Sequence, residues 1–167
     1  IGYIPQVHTS TFPFKVMDVV LMGRSPHLDI FESPSEKDYE IAENSLKSLN
    51  IGHMKDKPYT EISGGEQQLV FIARVLAQEP SILILDEPFK GLDPVNRQMF
   101  VDLLTERGKK GTTILYSTHV IEEAQKMADR LLIIKNGCQM EYGSVNEVRA
   151  RHGSKNIYME FEKWNPE

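Results

Sequence analysis

Three stretches of this chain carry side chains suited to handling phosphates. Ser63-Gly64-Gly65-Glu66-Gln67-Gln68 stands directly before an apolar helical pattern. Glycines let a backbone approach a ligand closely, and a helix start presents free N–H groups and roughly +0.5 of partial charge, which suits a phosphate. The same letters fit a capping box, with Ser63 at the cap and Glu66 three positions on, and that reading needs no ligand. The apolar run 82–85 ends in Asp86 and Glu87. Adjacent carboxylates at a strand end can divide labour, one holding Mg²⁺ through water and the other accepting a proton from an attacking water. Acidic strand tips also occur with no such role. His119 follows the run 113–118 at another strand end, where an imidazole could hydrogen-bond a phosphate oxygen or simply be solvated. His8, His27, His53 and His152 show no metal-ligand spacing and receive no role.

These residues need elements to place them. Residues 1–5 read as a short apolar strand, and the stretch 9–15 as a turn around Pro13 leading into the helical pattern Val16, Val19, Val20. Ser35 reads as a helix cap, with Asp38 three positions on, before Tyr39, Ala42, Leu46 and Leu49; Gly52 is expected to close that helix. Leu69, Ile72, Ala73 and Leu76 mark another helix with one buried stripe, so 15–78 reads as helical throughout. The second half alternates apolar runs at 82–85, 113–116 and 131–134 with helical patterns at 94–107 and 120–128, the pattern of a largely parallel, buried sheet. Asn136-Gly137 signals a hairpin turn, a last helix starts near Ser144, and Ile157, Met159 and Phe161 alternate like a final strand.

With 167 residues, 40% of them hydrophobic, the chain suits one domain. Its single cysteine, Cys138, excludes an internal disulfide, and no apolar run approaches the roughly 20 residues that span a bilayer. No signal peptide opens it, and the expectation is a soluble, cytoplasmic protein. A net charge of -5 argues against nucleic acid as a partner.

Order and spacing link the separate features. Gln6, then Ser63-Gly64-Gly65, then Asp86-Glu87, then Gly91-Leu92-Asp93, then His119 resembles the ABC ATPase family over essentially the whole chain. The resemblance implies an α/β, P-loop NTPase-like core with a mostly parallel sheet (residues 1–7 and 79–167), plus an inserted helical subdomain at about 8–78, in a partial, N-terminally truncated domain. It also implies ATP hydrolysis coupled to transport, with ATP and Mg²⁺ bound. In this resemblance Gln6 looks like the Q-loop glutamine, touching Mg²⁺ and the attacking water near the transmembrane partner. Ser63, Gly64, Gly65 and Glu66 look like the signature that clamps ATP held by an opposite subunit. Asp86 looks like the Walker B magnesium ligand, Glu87 the general base, Asp93 the D-loop aspartate and His119 the switch histidine. The implied partners are integral-membrane permease subunits and a second ATPase subunit, at the cytoplasmic face of the membrane.

The chain departs from the family pattern in several places. Nowhere does it contain Gly-x-x-x-x-Gly-Lys-Ser/Thr, the loop that cradles the β- and γ-phosphates, so the chain alone is expected neither to bind ATP tightly nor to hydrolyse it. In the family that loop's strand lies inside the sheet, between the strands matching 113–118 and 131–135, and its absence is expected to leave two unpaired edges. The stretch 12–24 with Pro26-His27-Leu28 resembles importers of iron complexes, cobalamin and related metal compounds, whereas 86–96, 116–119 and the tail resemble ABC-2-type exporters. The first half faces the transmembrane partner in this family, which favours import, with export or a non-catalytic remnant as alternatives. A DNA-repair or translation ATPase would need coiled-coil insertions or a second ATPase unit, and the chain has neither. Gln67, where many relatives carry a basic residue, reads as a solvent-facing position of little consequence. Lys90, in place of a small residue, reads as a modifier of dimer contacts.

Overall fold

The computed structural model describes residues 1–4 and 13–152, and the chain divides into two compact units, Ile1–His119 and Val120–Glu167. Gln6, His8 and the strand expected at Ile157, Met159 and Phe161 lie outside the described residues.

In the first unit, β1 (Gly2–Ile4), β2 (Ile82–Asp86) and β3 (Thr113–Ser117) form a parallel sheet in the order β1-β2-β3. The register runs Gly2↔Leu83 to Ile4↔Leu85 on one side of β2 and Ile82↔Thr113 to Asp86↔Ser117 on the other. Ile4, Leu83 and Leu85 are buried, while Leu115 on β3 remains largely exposed. Among the described residues β3 pairs only with β2.

From Val16 to Ala77 the described chain is largely helical, as its periodicity predicts. α1 (Val16–Leu21) runs on into a 3-10 turn, Met22–His27; α2 (Glu36–Ser48) and α3 (Gly64–Ala77) follow, with 3-10 turns at Gly52–Met54 and Tyr59–Glu61. Val16, Val20, Ala42, Leu46, Leu69, Ile72, Ala73 and Leu76 form its dry centre. Ser35 caps α2 as expected: the Asp38 carboxylate accepts from the Ser35 N–H at 2.9 Å and from its hydroxyl at 2.6 Å. Gly52 does not close α2. Asn50 takes the left-handed position, φ 56°, and the helix ends in a Schellman arrangement, Asn50 N–H to Lys47 O and Ile51 N–H to Leu46 O. Leu46 and Ile51, the residues whose main chains meet there, are both buried, the apolar contact that accompanies this cap.

One charged group ties the three helices together. Arg24, 5% exposed, donates from Nε to Asp38 on α2 (2.8 Å) and from Nη1 to the carbonyl of Ala77, the last residue of α3 (2.7 Å), and to Glu79 (2.9 Å). His27 reaches the next carbonyl, Gln78 O, at 2.9 Å. The carbonyls freed at the end of α3 are thus met by side chains of the 3-10 turn. That turn lies so close to α3 that a Cβ on Gly23 would sit 2.1 Å from the Arg74 carbonyl, so only glycine fits.

α4 (Pro94–Lys109) begins at Asp93 with proline at its first position and buries Phe100 and Leu104. Phe89 packs at 5.8 Å from the Phe100 ring and edge-on at 6.2 Å from Tyr116, joining α4, β3 and the loop after β2.

In the second unit, α5 (Ile121–Met127) precedes an antiparallel hairpin of β4 (Arg130–Lys135) and β5 (Cys138–Ser144), followed by α6 (Val145–His152). Asn136 (φ 52°) and Gly137 (φ 75°) both take positive φ, the requirement of the turn that Asn-Gly predicts. Ser144 and Glu147 cap α6 reciprocally, Ser144 N–H to Glu147 Oε2 at 2.8 Å and Glu147 N–H to Ser144 Oγ at 3.2 Å.

Replacing Arg24 by Ala leaves Asp38 buried without its cation and is expected to destabilise the helical segment by about 3 kcal/mol, read by urea denaturation. Hydrogen bonds from Ser35, then Arg24, hold the Asp38 carboxyl well below the ordinary carboxylate range. A depressed folded-state pKa gives stability that is complete above about pH 4 and is lost as pH falls toward the folded value. An Asp38→Asn variant should therefore show a flatter fall in stability between pH 5 and pH 2 than the wild type.

Candidate functional site

The parallel register of β2 and β3 brings three of the sequence-predicted residues to one strand edge. Asp86 is the last residue of β2 and lies opposite Ser117, whose hydroxyl donates to Asp86 Oδ1. Glu87 comes next, with φ 46°, a left-handed backbone that costs a non-glycine residue roughly 1–2 kcal/mol. It is held there from both ends. Its N–H donates to Ser117 O at 3.2 Å and lies 3.3 Å from Ser117 Oγ, and its Oε1 accepts from the His119 N–H at 3.1 Å and meets His119 Nδ1 at 2.8 Å. The Glu87 side chain is half-buried and that of His119 mostly exposed, so the pair presents one imidazole edge outward.

The Glu87–His119 contact constrains the proton inventory. If Nδ1–H donates to Glu87, a neutral imidazole offers only an acceptor at Nε2; with a second proton, both ring nitrogens donate. The exposed edge of His119 can therefore donate to an oxyanion while still holding Glu87 once the ring is cationic.

The second group of predicted residues lies at the start of α3. Ser63 caps that helix: its Oγ accepts from the Glu66 N–H at 3.4 Å, and the Glu66 carboxylate accepts from the Ser63 N–H and hydroxyl, both at 2.7 Å. The capping-box reading is thus realised, and the Ser63 hydrogen bonds hold Glu66 ionised below the ordinary carboxylate range. Ser63 and Gly64 are exposed at the surface. A Cβ on Gly65 would come within 3.3 Å of the Gly91 carbonyl, which places the glycine pair against the loop that joins Glu87 to α4. On that loop Asp93 is engaged as the cap of α4, accepting from Val95 N–H (3.0 Å) and Asn96 N–H (3.1 Å). These bonds, Asn96 first, lower its pKa. Lys90 is exposed on the same loop.

Two residues escaped the sequence reading. Ser117 orients both Asp86 and the Glu87 backbone, but its place opposite them follows from a strand register that a single sequence does not display. Gln67 is not a solvent-facing position: it is half-buried, and its Nε2 donates to Tyr59 O at 3.1 Å and Ile62 O at 3.4 Å. A basic residue, which the family resemblance sets at this position, would likewise direct donors at these carbonyls.

No group of three or more His, Cys, Asp or Glu side chains capable of holding a metal occurs among the described residues. The lone Asp86 carboxylate suits Mg²⁺, which binds through one or two carboxylates together with phosphate oxygens and water. Among the described residues no helix is long and apolar enough to cross a membrane.

Comparison with known proteins places these motifs in context. Residues 1–90 match the family model described as ABC transporter. The chain is 34% identical to the molybdate import ATP-binding protein MolC of Haemophilus influenzae, over 89% of this chain and 58% of that protein. It is 38% identical to the manganese transport system ATP-binding protein MntB of Halalkalibacterium halodurans, over 89% of this chain and 60% of that one. Among solved structures, a transporter assigned to the metal-chelate ABC type, in an inward-facing conformation, superposes with a TM-score of 0.80 at 33% identity, covering 88% of this chain and 59% of the other. The chain thus spans about 58–60% of the length of these relatives.

Replacing Glu87 by Gly relieves the left-handed strain but removes the carboxylate that accepts from the His119 N–H and meets its ring, so thermal denaturation should show a net change in stability smaller than about 1 kcal/mol. Ser63→Ala removes the cap of α3 and should cost about 1 kcal/mol in the same assay.

Proposed function

The chain belongs to the ABC transporter family, and from that premise we propose that it forms the larger part of an ATP-hydrolysing motor subunit for uptake of a metal-containing solute, such as an iron complex, cobalamin or a related compound. The observation that carries the catalytic half of this reading is the Asp86, Glu87, Ser117, His119 cluster at the end of the parallel strands. The relatives named for molybdate import and manganese transport, and the metal-chelate type structure, support the solute class.

ATP with Mg²⁺ would supply a polarised terminal phosphoryl group whose transfer to water rests on positioning and charge compensation. In this reading Asp86 holds the cation, one of its oxygens being oriented by Ser117. Glu87 accepts the proton of the attacking water, its carboxylate fixed by two contacts to His119. His119 contributes its outward edge to a terminal phosphate oxygen, and the family resemblance assigns Gln6, outside the described residues, to Mg²⁺ and the attacking water. Ser63, Gly64, Gly65 and Glu66 present the start of α3 to nucleotide on a second ATPase subunit, with Asp93 beside that interface. The subunit works at the cytoplasmic face of the membrane against integral-membrane permease subunits.

An export ATPase of the ABC-2 type is the second reading, favoured by the sequence 86–96 and 116–119. Co-purification of the intact subunit with its permease distinguishes the two, an importer-type permease being the expected partner.

The catalytic assignment predicts that Glu87→Gln in the intact subunit lowers kcat for ATP hydrolysis at least about 100-fold while MgATP affinity stays within about twofold. An unaltered kcat would remove Glu87 from the base role. Because no residue of this chain supplies a phosphate loop, titration calorimetry of the chain alone should show no micromolar ATP binding.

A further inference from the structure

We propose that Gln67 is a positioning residue for the Ser63 loop: its side-chain amide clamps the turn at 59–62 onto the first turns of α3 and so fixes where Ser63, Gly64 and Gly65 face outward. This rests on the motor reading above.

The Tyr59–Glu61 3-10 turn and Ile62 lead directly into Ser63. The carbonyls of Tyr59 and Ile62, three residues apart, converge on Gln67 Nε2 at 3.1 and 3.4 Å. Two carbonyl oxygens facing one side chain require donors, so the amide must point its NH₂ group at them, and an oxygen in that place would be repelled. The turn is itself anchored to the interior. Tyr59 is buried, its N–H donates to Phe14 O at 2.8 Å, and its hydroxyl lies 3.4 Å from the Gln67 carbonyl. Burial raises the Tyr59 pKa and keeps that hydroxyl a donor.

Beyond this anchored turn the chain has little to hold it. Ser63 and Gly64 are exposed, two of the three loop residues lack side chains, and the Ser63–Glu66 bonds fasten the loop only to its own helix. Gln67, together with the longer Tyr59 hydroxyl contact to its main-chain carbonyl, joins the first turns of α3 to the buried segment before the loop. A lysine or arginine would serve the same two carbonyls, since both offer donors only, whereas glutamate, nearly identical in shape, would oppose them with an anion.

The test compares Gln67→Glu and Gln67→Lys with wild type in the intact ATPase subunit, with folding checked by circular dichroism. The isosteric Gln67→Glu change is expected to lower kcat for ATP hydrolysis about tenfold, with nucleotide affinity of the single subunit within about twofold, and Gln67→Lys to retain at least about half of wild-type kcat. Hydrogen exchange of the amides at 60–66 should quicken in Gln67→Glu and not in Gln67→Lys. If Gln67→Glu does not fold, Gln67→Met, which removes the donors without adding charge, takes its place with the same expectation. Loss of kcat and affinity together, equal damage by Lys and Glu, or an unaffected Gln67→Glu enzyme would overturn the assignment while leaving the motor reading in place. A wild-type subunit that hydrolyses no ATP would overturn both.

Discussion

The parallel register between β2 and β3 is the constraint on which the acidic cluster depends. Residue-for-residue pairing from Ile82↔Thr113 to Asp86↔Ser117 brings a hydroxyl opposite a carboxylate at the point where both strands end. One residue further, the chain must turn, and Glu87 does so in a left-handed conformation that the Ser117 carbonyl and the His119 backbone and ring hold in place. A slip of one residue would send Ser117 to the other face of the sheet and release both Asp86 and Glu87. Burial of Leu83 and Leu85 is what makes such a slip costly, because it would turn these side chains away from the interior.

The helical segment depends on a different kind of interaction. A buried guanidinium such as Arg24 pays back little net stability, since the desolvation of two ions offsets most of their attraction. What it imposes is geometry. Its donors meet a carboxylate on α2, a carbonyl at the end of α3 and the Glu79 carboxylate, and a different packing of the three helices would leave at least one of them unmet. The close approach of Gly23 to the Arg74 carbonyl fixes the same junction by shape. α3 is therefore held at its C-terminal end by Arg24, Gly23 and His27, while its N-terminal end, about 20 Å away at 1.5 Å per residue, carries the Ser63 loop. Packing at one end of a rigid helix is transmitted to the exposed glycines at the other.

At that exposed end the electrostatics are not those of a bare helix start. Glu66 occupies the Ser63 N–H and hydroxyl, so an oxyanion arriving there meets donors already engaged by a carboxylate. The two anions compete for the same partial positive charge. Asp93, beside the neighbouring Gly91, is spent in the same manner on the cap of α4. Both carboxylates that border the glycine pair thus do local structural work, and their hydrogen bonds keep them charged.

Local patterns were readable in the sequence because they rest on contacts between near neighbours in the chain. The Ser35 and Ser63 capping boxes, the Asn136-Gly137 turn, the apolar strands ending at Asp86 and near His119, and the stripe Leu69, Ile72, Ala73, Leu76 each follow from a few adjacent side chains and a fixed backbone period. Gly52 was misread at the same range because asparagine also tolerates a left-handed backbone, and Asn50 reached that position first. What only the tertiary structure decided were pairings across long stretches of chain, Ser117 with Asp86 and Arg24 with Asp38 and Ala77, and, at shorter range, the donor role of Gln67 toward a turn that its own helix does not contain. Such contacts depend on strand order and helix docking, which are settled by burial of the whole apolar surface at once and leave no periodic trace around any one residue.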